Sequence, residues 1–180
     1  MYRRLLTLLV VVLTGFASAS AVHAAKIGDN IPHNLSLKDQ AGLDANFESL
    51  KGEAGLVVFF VRSADWCPFC QQQLKDFITR YQGFKDHGYE VASVSYDSVE
   101  KLNRFSTQYA VPYTMLSDPT SESIKAFDIL NTKYTQGSRF YGIPHPTIYV
   151  INAEGVITHI FREGGYKARP PVDGILRALD

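Results

Sequence analysis

Six consecutive residues, Leu56-Val57-Val58-Phe59-Phe60-Val61, carry no polar side chain. A strand alternates its side chains between two faces, so a run apolar at every position suits a strand covered on both sides. That requirement narrows the fold to a sheet with helices packed on it. The rest of the chain supplies the partners. Leu74, Phe77, Ile78 and Tyr81 recur at helical spacing within residues 71–85, with Gly83 or Gly88 available to end the helix. Leu102, Phe105 and Tyr109 do so after Ser98, a fair N-cap, and Ile124, Phe127 and Leu130 suggest a further helix. Residues 91–96 and 113–116 read as strands, and 147–151 with 156–160 flank the hairpin turn Asn152-Ala153-Glu154-Gly155. Residues 35–38 and 43–47 form an earlier hairpin, and Ile175, Leu176 and Leu179 mark a closing helix. The expected fold class is α/β: a mixed central β-sheet flanked by helices, with an N-terminal β-hairpin extension.

The apolar run leads into Trp66-Cys67-Pro68-Phe69-Cys70, which holds both cysteines of the chain. A disulfide between residues three apart closes almost no loop, so it stabilises little as a staple. A strand feeding a Cys-x-x-Cys at a helix start instead suits a reversible dithiol–disulfide pair. Exchange needs a thiolate nucleophile and a second thiol that resolves the mixed disulfide. Cys67 at the helix N-terminus meets unpaired backbone N–H groups and the positive end of the helix dipole, which favour the thiolate. Cys70 lies one turn inward, shielded. Cys67 is therefore expected to attack and Cys70 to resolve. Pro68 fits the first helical turn, where its missing N–H costs little.

The chain opens with Arg3-Arg4, then an apolar run, then small residues up to Ala25. That is the order of a secretory signal peptide. Cleavage after Ala24 is expected, giving a signal at 1–24 and one domain at 25–180. The product would be periplasmic or secreted, with no stable membrane insertion. Losing Arg3 and Arg4 turns the even balance of 18 basic and 18 acidic residues slightly acidic. Nothing in that balance, or in any basic run, suggests nucleic acid.

Taken with their spacing, these stretches resemble the thioredoxin-fold AhpC/TSA (redoxin) superfamily over nearly the whole chain after Ala24. The resemblance rests on the leading hairpin at 35–50, the strand and Cys-x-x-Cys at 57–70, Val94-Ser95-Tyr96-Asp97-Ser98, Leu116-Ser117-Asp118-Pro119, and Gly142-Ile143-Pro144-His145-Pro146-Thr147. It implies a thioredoxin-like fold with Cys67 and Cys70 as the redox pair. It also implies that Trp66 flanks the site, that Pro146 is the cis-proline facing the cysteines, and that the His145 backbone presents an extended substrate. His145 would lie near both sulfurs. The chain departs from the peroxiredoxin pattern Pro-x-x-x-Thr-x-x-Cys. With Cys70 at its end, Ser63 and Cys67 replace the Pro and Thr; with Cys67 at its end, Phe60 and Ala64 do. The arginine usual before the late strand is replaced by His145-Pro146; Arg62 is a candidate to stand in for it, but its strand-end position reads rather as a surface group or an ion-pair partner of Asp65.

The first expectation is thus a thiol–disulfide oxidoreductase acting on protein or small-molecule thiols and disulfides with a redox partner protein, its direction open. The alternative is a peroxiredoxin-like thiol peroxidase. A third reading, without catalysis, is a copper or zinc chaperone using Cys67, Cys70 and His145. The first two require no cofactor and no metal. Residues 131–142, with Tyr134, Phe140 and Tyr141, are a candidate substrate wall, and residues 164–171 read as basic, solvated surface.

Overall fold

A computed structural model describes residues 24–165 and 167–180; the expected signal at 1–24 lies almost wholly outside them. Seven strands share one sheet: β1 (Leu37–Lys38), β2 (Asp44–Ala45), β3 (Gly55–Phe60), β4 (Tyr89–Ser95), β5 (Thr114–Ser117), β6 (Thr147–Asn152) and β7 (Ile157–Phe161). Between them lie α1 (Phe47–Leu50), α2 (Pro68–Asp86), α3 (Val99–Tyr109), α4 (Glu122–Ala126) and, at the end, α5 (Val172–Leu176). The sheet order is β2-β1-β5-β4-β3-β6-β7. β3, β4 and β5 run parallel, and β6, β7 and the β1–β2 hairpin add antiparallel flanks. The mixed sheet, its helices and the added hairpin give the thioredoxin-like α/β architecture expected. Among the described residues no helix is long and apolar enough to cross a membrane.

The all-apolar run occupies the place its composition demands. β3 is central, paired with β4 on one side and β6 on the other. Val57, Phe59 and Val61 join a core with Leu74 and Phe77 of α2, Phe105 of α3 and Ile175 of α5. Leu56, Val58 and Phe60 join a second core with Phe47, Ile124 and Phe127. Phe59 stacks on Phe77 with ring centroids 4.0 Å apart, so the strand is fixed against the helix that carries the cysteines. Gly83 stays inside α2 rather than ending it. A Cβ there would come within 3.1 Å of Leu176, so the glycine lets α5 sit close against α2.

Three elements differ from expectation. Phe47, expected at the end of the leading hairpin, opens α1 instead, because the Asn46 side chain caps a helix there by accepting from Ser49 N. Leu35 is buried with φ 54 and stands outside β1. Its N–H donates to His33 Nδ1 rather than to a strand partner. The helix containing Ile124 ends at Ala126, because Asp128 turns into the left-handed region and Leu130 pairs with Pro144 in an isolated bridge. That bridge is long-range, so helical spacing at 124–130 gave no sign of it.

Candidate active site

β3 ends one residue before Val61, and residues 61–66 carry the chain to Cys67, the N-cap of α2. This linker is pinned from below by Asp97, a buried carboxylate just past β4. Asp97 Oδ1 accepts from Ser63 Oγ at 2.8 Å, and Oδ2 accepts from Ala64 N at 2.7 Å and Ser95 Oγ at 2.9 Å. Ser63 Oγ in turn accepts from the N–H groups of Asp65 (3.0 Å) and Trp66 (3.2 Å). Burial raises the Asp97 carboxyl above its ordinary range, against these hydrogen bonds, which lower it. Both acceptor positions of the Ser63 hydroxyl are occupied, so its proton must go to Asp97. An Asp97→Asn variant presents an N–H to one of these donors in either amide orientation. It is expected to cost about 1–3 kcal/mol, read as a lowered midpoint in chemical denaturation, with the loop bearing Cys67 loosened.

Cys67 and Cys70 are joined as a disulfide, their Cα atoms 5.2 Å apart. Cys67 Sγ accepts from Cys70 N at 3.2 Å, which makes the sulfur itself the helix cap. Cys70 is shielded, as its place one turn inward implied, and Cys67 is shielded with it. Both residues are 0% exposed, while Pro68 and Phe69 between them face solvent. Helix position separates the two sulfurs; exposure does not.

The surface and Asp65-pair reading of Arg62 is overturned, and its candidacy as the arginine of the site gains a geometry. Arg62 is buried, 8% exposed, and its Nη2 donates to Cys67 Sγ at 3.1 Å. Asp65 pairs instead with Lys101 at 2.9 Å and Arg104 at 3.9 Å. The guanidinium lies 5.4 Å from the Trp66 ring centroid, within cation–π range. Trp66 is itself tied by Nε1 to Tyr96 Oη at 2.9 Å and packs on Phe140 at 4.9 Å. Trp66 thus stands beside Arg62 and braces it.

A second guanidinium was missed altogether. Arg169 Nη2 donates to Cys70 Sγ at 3.4 Å, so residues 164–171 are more than solvated surface. Burial, and then the charge of Arg62, push the Arg169 pKa down to about 10, which leaves it cationic at neutral pH. It lies 99 residues from Cys70 in sequence, and no spacing rule could connect them. Arg62 carried a weak signal, a lone cation directly after an apolar strand and five residues before a cysteine.

Pro146 is not cis: no peptide bond among the described residues is. His145 N donates to Ile129 O at 2.6 Å and Thr147 opens β6 paired to Phe60. An extended trans bond carries the chain from that anchor into the strand. Gly142 (φ 98) fixes the preceding turn, since a Cβ would meet Ser121 Oγ at 2.5 Å. His145 and Pro146 line a cavity of about 300 Å³ with Arg62, Asn131, Lys133 and Gly165. Burial, and then Arg162, lower the His145 pKa, favouring the neutral ring. Among the described residues no three His, Cys, Asp or Glu side chains gather as a metal site. His145 therefore does not complete a ligand set with the two cysteines, and the metal-chaperone reading loses its geometry. Within the aromatic segment Tyr134 packs on Phe140, which meets Trp66.

Chemically, each sulfur faces its own guanidinium, and Cys67 has a helix N–H as well. Such an arrangement stabilises thiolates formed when the disulfide opens.

A model of the AhpC/TSA family matches residues 27–160. Among curated proteins, Peroxiredoxin Bcp of Escherichia coli K12 is 32% identical over 136 residues, covering 76% of this chain and 85% of its own. The chloroplastic Peroxiredoxin Q of Triticum aestivum is 28% identical over 146 residues, covering 81% of this chain. This chain spans 64% of that plant protein's length. The crystal structure of peroxidoxin BcpB from Mycobacterium tuberculosis superposes with a TM-score of 0.73 at 23% identity, covering 86% of this chain and 96% of that one.

Proposed function

The chain belongs to the AhpC/TSA family, and from that footing we propose that it is a thiol peroxidase using Cys67 and Cys70 as its redox pair. The observation that carries the reading is the buried Arg62 guanidinium 3.1 Å from Cys67 Sγ. The peroxiredoxin names of its relatives support the same class. In the reduced enzyme, the Cys67 thiolate attacks the near oxygen of a hydroperoxide. The O–O bond breaks, Cys67 becomes a sulfenic acid, and the alkoxide or hydroxide takes a proton and leaves as alcohol or water. The two-electron oxidation of sulfur balances the two-electron reduction of the peroxide. Cys70, as thiolate, then attacks the sulfenic sulfur and expels hydroxide, giving the Cys67–Cys70 disulfide. An external thiol, from a partner protein or a small molecule, returns two electrons.

Arg62 does double duty in this scheme. Its charge favours the attacking thiolate, and its donors can follow the charge that develops on the departing oxygen. Trp66 positions it. His145 and Pro146 are proposed to contact substrate from the cavity they share with Arg62. The basic, apolar and small-residue order of residues 1–25 supports export to the periplasm or outside the cell.

The test is stoichiometric. Reduced protein mixed with one equivalent of hydrogen peroxide or cumene hydroperoxide should consume it within the mixing experiment and lose both free thiols, with no metal added. Peroxide loss no faster than with a small-molecule dithiol would sink the proposal. A second reading, exchange with protein disulfides, is favoured by one observation: Pro68 and Phe69 stand exposed at the helix start beside the sulfurs. Faster reduction of a protein disulfide than of peroxide would select it.

A further inference from the structure

The oxidised enzyme must be reduced before it can turn over, and the cavity beside Cys67 has a charge that bears on the reductant. Arg62 connects the two places, because the same side chain lines the cavity and donates to Cys67 Sγ. Lys133 and His145 stand on the cavity wall with it, and among the described residues no carboxylate does. Arg162 acts electrostatically on His145 from outside the lining. Lys133 is exposed, so its ammonium is available to an incoming ligand. About 300 Å³ is at the small end of ligand sites. It suits a molecule far smaller than a folded protein.

We propose that this cavity admits a small thiol bearing a carboxylate, which reduces the Cys67–Cys70 disulfide directly. The inference rests on the peroxidase reading only for the step that re-forms the disulfide. The carboxylate pairs with Lys133 and Arg62, drawing the guanidinium from Cys67 Sγ and opening that sulfur. The thiolate of the small molecule attacks Cys67 Sγ, and the bond to Cys70 breaks. Cys70 leaves as a thiolate received by Arg169, 3.4 Å away. A second small thiolate attacks the sulfur of the first, forms the external disulfide and releases the Cys67 thiolate. Two thiols supply the two electrons.

The test uses oxidised full-length protein without peroxide, so it reads reduction whether or not peroxide is a substrate. Three probes of similar size, 3-mercaptopropionate, 2-mercaptoethanol and cysteamine, are compared at equal thiolate concentration, each rate divided by that thiol's rate toward a small uncharged disulfide, because thiolate nucleophilicity itself rises with thiol pKa. Appearance of protein thiols is followed by acid quench and mass. At low ionic strength the anionic probe should react about tenfold or more faster than the cationic one. The gap should close as salt rises. A Lys133→Glu variant should remove most of the preference, and its exposed position keeps folding out of the comparison. Equal rates for the three thiols would overturn the proposal, as would an unchanged preference in Lys133→Glu. Loss of peroxide consumption together with a retained charge preference would remove the peroxidase reading and leave this one standing.

Discussion

Cys67→Ser is expected to bring thiol-dependent peroxide consumption to background, a fall on the order of a thousandfold or more, as when any covalent nucleophile is removed. Cys70→Ser behaves differently. It should consume one equivalent of peroxide, gain one oxygen at Cys67 by mass, form no intramolecular disulfide, and then stop. The assignment rests on position: Cys67 Sγ caps α2 and accepts from both a backbone N–H and Arg62 Nη2, whereas Cys70 Sγ accepts from Arg169 at the longer distance of 3.4 Å. Two charge-assisted donors stabilise a thiolate more than one. The inverse pattern, a single oxygen gained at Cys70 in Cys67→Ser with Cys70→Ser inert, would reverse the roles. Arg169 would then be the cation at the nucleophile.

Arg62→Gln is expected to slow peroxide attack by roughly tenfold to a hundredfold, the rate equivalent of a charge-assisted hydrogen bond of about 1.5–3 kcal/mol. The sign of the accompanying pH effect follows from the charge. A nearby cation favours the thiolate, so removing it moves the ionisation of Cys67 to higher pH. The variant should therefore recover part of its rate as pH rises, its profile displaced to higher pH than that of the parent protein. Thiolate absorbance near 240 nm in a Cys70→Ser background measures the shift without reference to activity. Arg62→Lys keeps the charge but loses the planar fork that stacks on Trp66. It should retain the thiolate titration better than the rate. An unchanged titration in Arg62→Gln would show that the helix terminus alone sets the thiolate, and would leave Arg62 a packing role.

The central strand and the cysteine pair that follows it were legible because both are local. Six apolar residues in a row require cover on both faces, and β3 has it. A Cys-Pro-x-Cys after such a strand places one sulfur at a helix start, and Cys67 is the N-cap of α2. The leading hairpin and the 147–161 hairpin were also readable, since turn chemistry and alternation lie within a few residues of each other. The expected helix beyond Ala126 failed where a local pattern met a non-local bridge between Leu130 and Pro144.

Which groups surround the sulfurs was decided by the tertiary structure. Arg62 reads as a surface cation until the chain turns it inward under Trp66, and the Asp65 it seemed to pair with is taken by Lys101. Arg169 reaches Cys70 across 99 residues. Asp97 gathers Ser63, Ala64 and Ser95 from two different segments. Pro146 keeps the trans bond that most X-Pro pairs adopt, and the neighbouring His145 N–H is tied to Ile129 O, a contact that the dipeptide does not encode. Periodicity and helix capping act between neighbours a few residues apart, so the sequence by itself determined the sheet's central strand, the helix that follows it and the two thiols at their junction. Charge acts through space, so the two guanidiniums that distinguish those thiols from an ordinary disulfide became visible only once the fold had brought them there.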